Sequence, residues 1–459
     1  MISRDRIKQR MLGGFVAHFG SRVWLIVARL VEAPLFLSYW GRELWGEWLM
    51  LTAIAEYVSL SQIGVSDAVR NEVVMAVARG DTNSATKSLH TTQSVLIVLS
   101  GVALILVCAV VSLDLSRHLH ITNISEASAK FVIIFSSIQA AIRLQAAIPQ
   151  ATLSASGYYP LSTTLSVCGS IIAFVPSVIL VPLEFGPASL AVAQLLAAIL
   201  ELSAFWGVTL YLSRWARFGV ICNNYNELRR IALPAIKMAS FNVGQMLNTQ
   251  GYRIIVGLVL GPSALSSVTV VRTFCQTLTQ GGTMISQVFH PELAAAQGRG
   301  DLEDFRKLAH SCLRWSAWVG FVIFLIATLF GEKFIFFWTN GKVKFGMEAL
   351  FLPLLATLMD AVWRSAMIPA YATNRAGKIG FVFLVTFGFG FLFATYFFSY
   401  IGGIKGALAA LLLPQLVMTF AVFFIVPPIC GDSGFFWFKI MLSPPIDLEM
   451  LKRRIASWI

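Results

Sequence analysis

Apolar residues run along this chain in long blocks separated by short polar stretches. A bilayer core of about 30 Å needs roughly 20 apolar residues in helical form, at about 1.5 Å per residue. Blocks of that length fall at residues 13–38, 45–69, 91–113, 129–155, 160–183, 188–212, 231–260, 263–289, 309–330, 347–371, 379–401 and 404–428. None shows the two-residue alternation of an outer-membrane barrel strand. The pattern therefore predicts an all-α polytopic membrane protein with about 12 transmembrane helices. The basic opening, MISRDRIKQR, precedes an apolar run too long for a signal sequence and lacking an A-x-A-like cleavage site, so it reads as a retained first helix.

The polar positions inside these blocks are not scattered. In the first, His18, Arg22, Arg29 and Glu32 fall within about 80° of one another at roughly 100° per residue. Asn242, Gln245, Thr249 and Arg253 share one face of the seventh. Thr52, Glu56, Ser59, Ser66, Asp67 and Arg70 stripe the second block. Arg272, Gln276, Thr279, Ser286, Gln287 and His290 occupy the same positions of the eighth, 220 residues later. A charge at the bilayer centre costs roughly 2.5–3.5 kcal/mol on insertion scales, so such stripes need a reason.

The simplest is that the first, second, seventh and eighth helices line a hydrated central cavity. Arg22, Arg29, Arg253, Arg272, Asn242 and Gln276 are then the candidate substrate-binding residues, and Glu32, Glu56 and Asp67 are candidates for ion coupling. The competing reading is interhelical packing, in which polar groups satisfy one another. Asp360 and Arg364, four residues apart, are a candidate structural pair of that kind. For these two, and for Arg143 and Lys237, both readings stand equally. Arg314, near the inner edge of its block, is expected to snorkel to the interface. Within the blocks, Arg22, Arg29, Arg143, Lys237, Arg253, Arg272 and Arg364 outnumber Glu32, Glu56, Glu201 and Asp360. A cavity with surplus positive charge favours an anionic cargo, and the planar guanidinium suits phosphate.

Composition agrees with the blocks. Of 459 residues 57% are apolar and only 13% charged, against about 25% charged in soluble proteins, and the mean hydropathy is +0.74. The net charge of +12 raises the question of a nucleic-acid partner, but its distribution answers it. Of the 35 Lys and Arg, 20 fall on the side of the N-terminus and 7 on the opposite side. That bias is the positive-inside rule and places both termini in the cytoplasm; no nucleic acid is needed.

The six cysteines lack paired spacing, so neither a disulfide framework nor a metal site is expected. No phosphate-binding loop and no nucleophile–base arrangement appears, so the expectation is a protein without cofactor that is not an enzyme. Arg79-Gly80-Asp81 reads as a helix-linking loop rather than an adhesion tripeptide, and His118 with His120 as an ordinary loop. The stretch Pro445 to Ile459 is either an interfacial helix or a disordered tail.

The chain also repeats itself. ARGDTNSATKSLHT begins at Ala78 and GRGDLEDFRKLAHS at Gly298, an offset of 298 − 78 = 220. At that offset Arg79, Gly80, Asp81, Lys87 and His90 match Arg299, Gly300, Asp301, Lys307 and His310, and Gly41 matches Gly261. Two six-helix lobes follow: residues 1–220, residues 221–430, and a basic cytoplasmic tail over 431–459. An even number of helices per lobe makes the repeats parallel, with the substrate pathway between them. The join is expected near Leu212 to Arg230.

Trp45-Gly46-Glu47-Trp48, Ile63-Gly64 with Asn71, Arg79-Gly80-Asp81, and Phe337-Trp338-Thr339-Asn340-Gly341 carry a further signal. With them, the chain resembles the polysaccharide repeat-unit flippases, O-antigen and exopolysaccharide type, of the multidrug/oligosaccharidyl-lipid/polysaccharide exporter superfamily. The resemblance spans essentially the whole chain. It implies two six-helix lobes in a V, with the first, second, seventh and eighth helices facing the cavity. It also implies a cargo, undecaprenyl-pyrophosphate-linked oligosaccharide, turned across a bacterial inner membrane with a polysaccharide polymerase and a chain-length regulator as partners. The family offers no invariant catalytic motif to carry over.

Four other classes compete. A drug or cation antiporter of the same superfamily would favour an acidic cavity. A major-facilitator carrier would show a G-x3-D-[RK]-x-G-[RK]-[RK]-like loop, which residues 78–88 do not match. A polysaccharide polymerase or ligase would need a large outer loop, and those near 114–128 and 331–346 are modest. The peptidoglycan-precursor flippases usually add two helices, for which residues beyond 428 leave no room.

Overall fold

In hydrocarbon a backbone N–H has no water to bond, so a spanning segment closes its hydrogen bonds on itself as a helix. The described residues of this chain are helical almost throughout. The structure, a computed structural model, describes residues 4–62, 65–112, 121–213, 215–216, 219, 240–373, 375 and 377–445. Helix α1 is Arg4–Tyr39, α2 Gly41–Glu56 with a 3-10 turn at Tyr57–Gln62, α3 Val65–Ala78 and α4 Thr82–Val111. Then come α5 Glu126–Gln145, α6 Ala147–Ala155, α7 Tyr159–Leu180 and α8 Pro187–Leu212. A π turn at Leu247–Gly251 leads into α9 Tyr252–Leu260, followed by α10 Pro262–Arg299 and α11 Leu302–Trp338. The rest are α12 Met347–Ala366, α13 Ile368–Ala372, α14 Gly377–Phe383, α15 Phe391–Ala409, α16 Leu412–Ile425 and α17 Gly434–Leu442.

Each of the twelve expected spans contains helix, and the chain is a multi-pass all-α membrane protein. Among the described residues, eight helices are long and apolar enough to cross a bilayer. The rods outside that set hold residues 4–39, 41–62 with 65–78, 240–260 and 262–299. These are the rods that carry the polar stripes, so the departure from plain hydropathy and the stripes have one origin.

By its packing the chain divides into two units, Met1–Ser266 and Ser267–Ile459. In the first, α5 lies along α8, α3 along α6 and α1 along α7, while α9 returns onto α2. Small residues permit that return. A Cβ on Gly46 would stand 1.9 Å from the carbonyl oxygen of Pro262, and one on Gly257 would strike the Met50 thioether at 2.5 Å. In the second unit α11 lies along α12, α12 along α15 and α16, and α17 folds back onto α11. The join expected near Leu212 to Arg230 lies largely outside the described residues. Because α9 packs on α2, the residues up to Ser266 group with the first unit.

The repeated tripeptide has the same geometry twice. Gly80 and Gly300 take φ of +79° and +72°, left-handed values that a side chain resists. Each helix end is closed by Gly80 N donating to Val77 O and Asp81 N to Ala76 O, and likewise by Gly300 N to Gln297 O and Asp301 N to Ala296 O. Asp81 and Asp301 then cap the next helix, accepting from Ser84 N and Asp304 N, both at 2.9 Å. The aspartate therefore works as an N-cap, which is why it recurs. A second repeated device interrupts a helix. Pro149 and Pro369 lack the N–H that the carbonyls of Gln145 and Ser365 would accept. The chain tightens at Ala146 and Met367, and the Ser365 oxygen takes the Cys312 thiol at 4.0 Å.

Part of the stretch expected as a tail is folded. Asp432, whose side chain is fully buried, is hydrogen-bonded to His310 at 2.6 Å, accepts from Trp437 Nε1 at 3.0 Å and pairs with Arg306. Trp437 is on the buried face of α17. Burial pushes the Asp432 carboxyl up, but the bonds from His310, Trp437 and Arg306 outweigh it and hold the group below its ordinary value. A depressed carboxyl stabilises the fold above its unfolded value of about 4, and the contribution is lost as pH falls through the lower folded value. Asp432→Asn is expected to loosen α17 by about 1–3 kcal/mol at neutral pH. Limited proteolysis around residues 430–445 reads this out; equal cleavage rates for the two proteins would refute it.

Candidate functional site

The first helix turns Arg22, Arg29 and Glu32 to one side, as a 3.6-residue repeat requires. All three are half-buried. Helix α2 is seated by the run Trp45 to Leu51, with Phe36 of α1 stacked on Trp45 at 6.2 Å between ring centres. That packing brings Glu56, the last residue of α2, to the same region, where Ser59 Oγ donates to its Oε2 at 3.4 Å. The third contributor is α9. The π turn at Leu247–Gly251 inserts an extra residue into the helical winding. The next turn is thereby rotated, and Arg253 comes to face the first two helices. Arg253 Nη1 donates to Gln250 Oε1 at 3.3 Å.

The charges interact. Glu32 lies within electrostatic reach of Arg253 and Arg29, Arg253 of Glu32 and Glu56, and Arg29 also of Arg22. Among the described residues, the guanidinium groups of Arg22, Arg29 and Arg253 thus gather with the carboxylates of Glu32 and Glu56, all within the first unit. In a low-dielectric setting each of these charges is costly to bury unless it is paired, and guanidinium groups gathered there attract an anion. The forked donors of arginine can engage two phosphate oxygens at once.

The other candidates lie on α10 and ahead of the π turn. Arg272 is buried and Gln276 half-buried on α10 in the second unit, and Asn242 is exposed ahead of the π turn. The side chains of His18, Ser66 and Asp67 lie outside the described residues. Arg364 Nε donates to both carboxylate oxygens of Asp360 at 2.9 Å, and its guanidinium lies 4.6 Å over the Trp363 ring. Arg143 faces Glu201 at 3.9 Å, the carboxylate lying across Gly169, where a Cβ would not fit.

One buried acid falls outside the polar stripes. Glu47, fully buried on α2, accepts from Thr122 N at 2.8 Å, Asn123 N at 2.9 Å, Asn123 Nδ2 at 3.0 Å and Ile124 N at 2.9 Å. It ties down the loop that enters α5. The signal available was a carboxylate between two tryptophans in an apolar block; its acceptors' partners, some 75 residues on, left no trace nearby.

A family model described as a polysaccharide biosynthesis protein matches residues 50–339, more than half of the chain. Among proteins of curated function, none matches the sequence. Solved structures share the fold. An inward-facing multidrug resistance MATE family transporter of the MOP superfamily aligns with TM-score 0.72 at 14% identity, covering 88% of this chain and 94% of its own. The lipid II flippase MurJ in an inward closed conformation aligns at 0.71 and 13% identity, covering 94% and 90%. The Vibrio cholerae MATE transporter VcmN in its bent form aligns at 0.57 and 14%, covering 94% and 97%.

Proposed function

The chain belongs to the polysaccharide biosynthesis protein family, and on that premise we propose that it is a flippase for undecaprenyl-pyrophosphate-linked oligosaccharide repeat units. It would move them across a bacterial inner membrane, termini in the cytoplasm, for assembly of O-antigen, capsule or exopolysaccharide. The observation that carries this reading is the gathering of Arg22, Arg29 and Arg253 around Glu32 and Glu56 in the first unit. A pyrophosphate supplies the two or more charged oxygens that such forks bind. The guanidinium groups hold the head while the polyprenyl tail stays in lipid, and alternating access releases the head on the far side.

Arg272, Asn242 and Gln276 supply further contacts from the second half of the chain. With the inside negative, outward movement of an anion is favoured by about 2.3 kcal/mol per charge per 100 mV. Glu32, Glu56 or Asp67 couples the return step to ion entry, and a polymerase and a chain-length regulator receive the product.

Labelled lipid-linked oligosaccharide in reconstituted vesicles tests the reading directly. Arg22→Gln and Arg272→Gln should each lower its translocation at least about tenfold, the loss of one charge-assisted contact, with membrane insertion intact. Wild-type rates in both variants would remove these arginines from the mechanism. A second reading, an ion-coupled multidrug antiporter, draws on the two carboxylates that flank Arg253. It requires efflux of a cationic dye from the same vesicles, which the flippase reading does not.

A further inference from the structure

A cavity of about 320 Å³ opens in the second unit, between α11, α12 and α17. Ala317, Trp318 and Phe321 form one wall, Leu358 and Met359 another, and Leu442 stands at the end of α17. The indole N–H of Trp318 is already taken by the carbonyl of Ser443 at 2.8 Å. The named walls therefore offer water no free partner, and a space of this kind stays dry. Its walls continue onto the lipid-facing surface, where Phe321 is 41% and Leu442 60% exposed.

Positive charge stands at the end of the cavity nearer the start of α11. Arg314 precedes Trp318 by four residues and Phe321 by seven, so it shares their face of α11, one turn nearer the helix N-terminus. Its Nε is buried and donates to no acceptor among the described residues. On α17, Lys439 is exposed one turn before Leu442. Arg306, by contrast, is committed to Asp432. An unsatisfied guanidinium N–H above a dry apolar cavity is matched by a lipid that has an anionic head above its chains.

We infer that this cavity seats an acyl chain of an anionic glycerophospholipid whose phosphate is held by Arg314 and Lys439. The site shares no residue with the Arg29–Arg253 cluster and does not depend on the cargo carried there. It gives the second unit a resident lipid that braces α17 against α11 and α12.

The full chain, purified and offered an equimolar mixture of phosphatidylglycerol, phosphatidylcholine and undecaprenyl phosphate, is read by native mass spectrometry. The wild type should retain phosphatidylglycerol about fivefold over phosphatidylcholine, the effect of one well-placed cation. Arg314→Gln should lower that ratio, and Arg314→Gln/Lys439→Gln should bring it to about one. Ala317→Phe fills the cavity and Leu442→Asp puts a charge at its exposed edge; both should abolish retention of either phospholipid. Leu442 is exposed, so its variant folds independently of how well the filled cavity packs. Equal retention of the two phospholipids by the wild type, an unchanged ratio in Arg314→Gln, or retention surviving both wall variants would each overturn the assignment. Retention of undecaprenyl phosphate to the exclusion of phosphatidylglycerol would overturn it too.

Discussion

Removing Arg29 and Arg253 together, as Arg29→Gln/Arg253→Gln, should slow oligosaccharide translocation by about 100-fold or more. Each charge-assisted contact to a phosphate contributes about 1.5–3 kcal/mol; two lost contacts give that factor at 1.4 kcal/mol per decade. The variant also takes from Glu32 the two cations that act on it and from Glu56 the influence of Arg253, which burdens folding as well as binding. The triple variant with Glu32→Gln separates the effects: it relieves the stranded carboxylate and should recover yield and melting temperature while transport stays lost. Arg253→Lys keeps the charge without the fork and should fall between wild type and Arg253→Gln. Wild-type transport by the double variant in vesicles would sink the anion-binding role of the cluster.

Glu47→Ala should be the most destabilising single change in the first unit. Its carboxylate receives three backbone N–H groups and the Asn123 amide from one loop, and the side chain is fully buried. Truncation strands donors that cost about 1–3 kcal/mol each when unsatisfied, for a loss of about 3–5 kcal/mol. The loop leads directly to Ser125, whose hydroxyl caps α5 by accepting from Ser128 N at 3.3 Å. The damage therefore extends to where α5 enters its place along α8 and α2. Glu47→Gln keeps one acceptor and should lose less. Thermal unfolding in detergent measures both; a melting temperature unchanged in Glu47→Ala would show that the loop finds other partners.

Much of the architecture was written locally. Apolar blocks of spanning length specify rods because a helix satisfies its own backbone, whatever its neighbours. The polar faces of the first, second, seventh and eighth rods follow from the spacing of residues such as Arg22, Arg29 and Glu32. Duplication is visible because Arg79-Gly80-Asp81 and Arg299-Gly300-Asp301 perform a helix stop and a helix start within five residues, so the same letters were kept for the same local job.

The sequence by itself determined the rods, their polar faces and the two-fold repeat, all of which depend on near neighbours along the chain. Only the tertiary structure decided that a π turn aims Arg253 at Glu32 and Glu56, that Glu47 anchors residues 122–124, and that Asp432 binds α17 to His310 and Arg306. Those pairings depend on which rods lie side by side and at what rotation. That is settled by close packing at positions such as Gly46 and Gly257, and residue spacing within one helix carries no record of it.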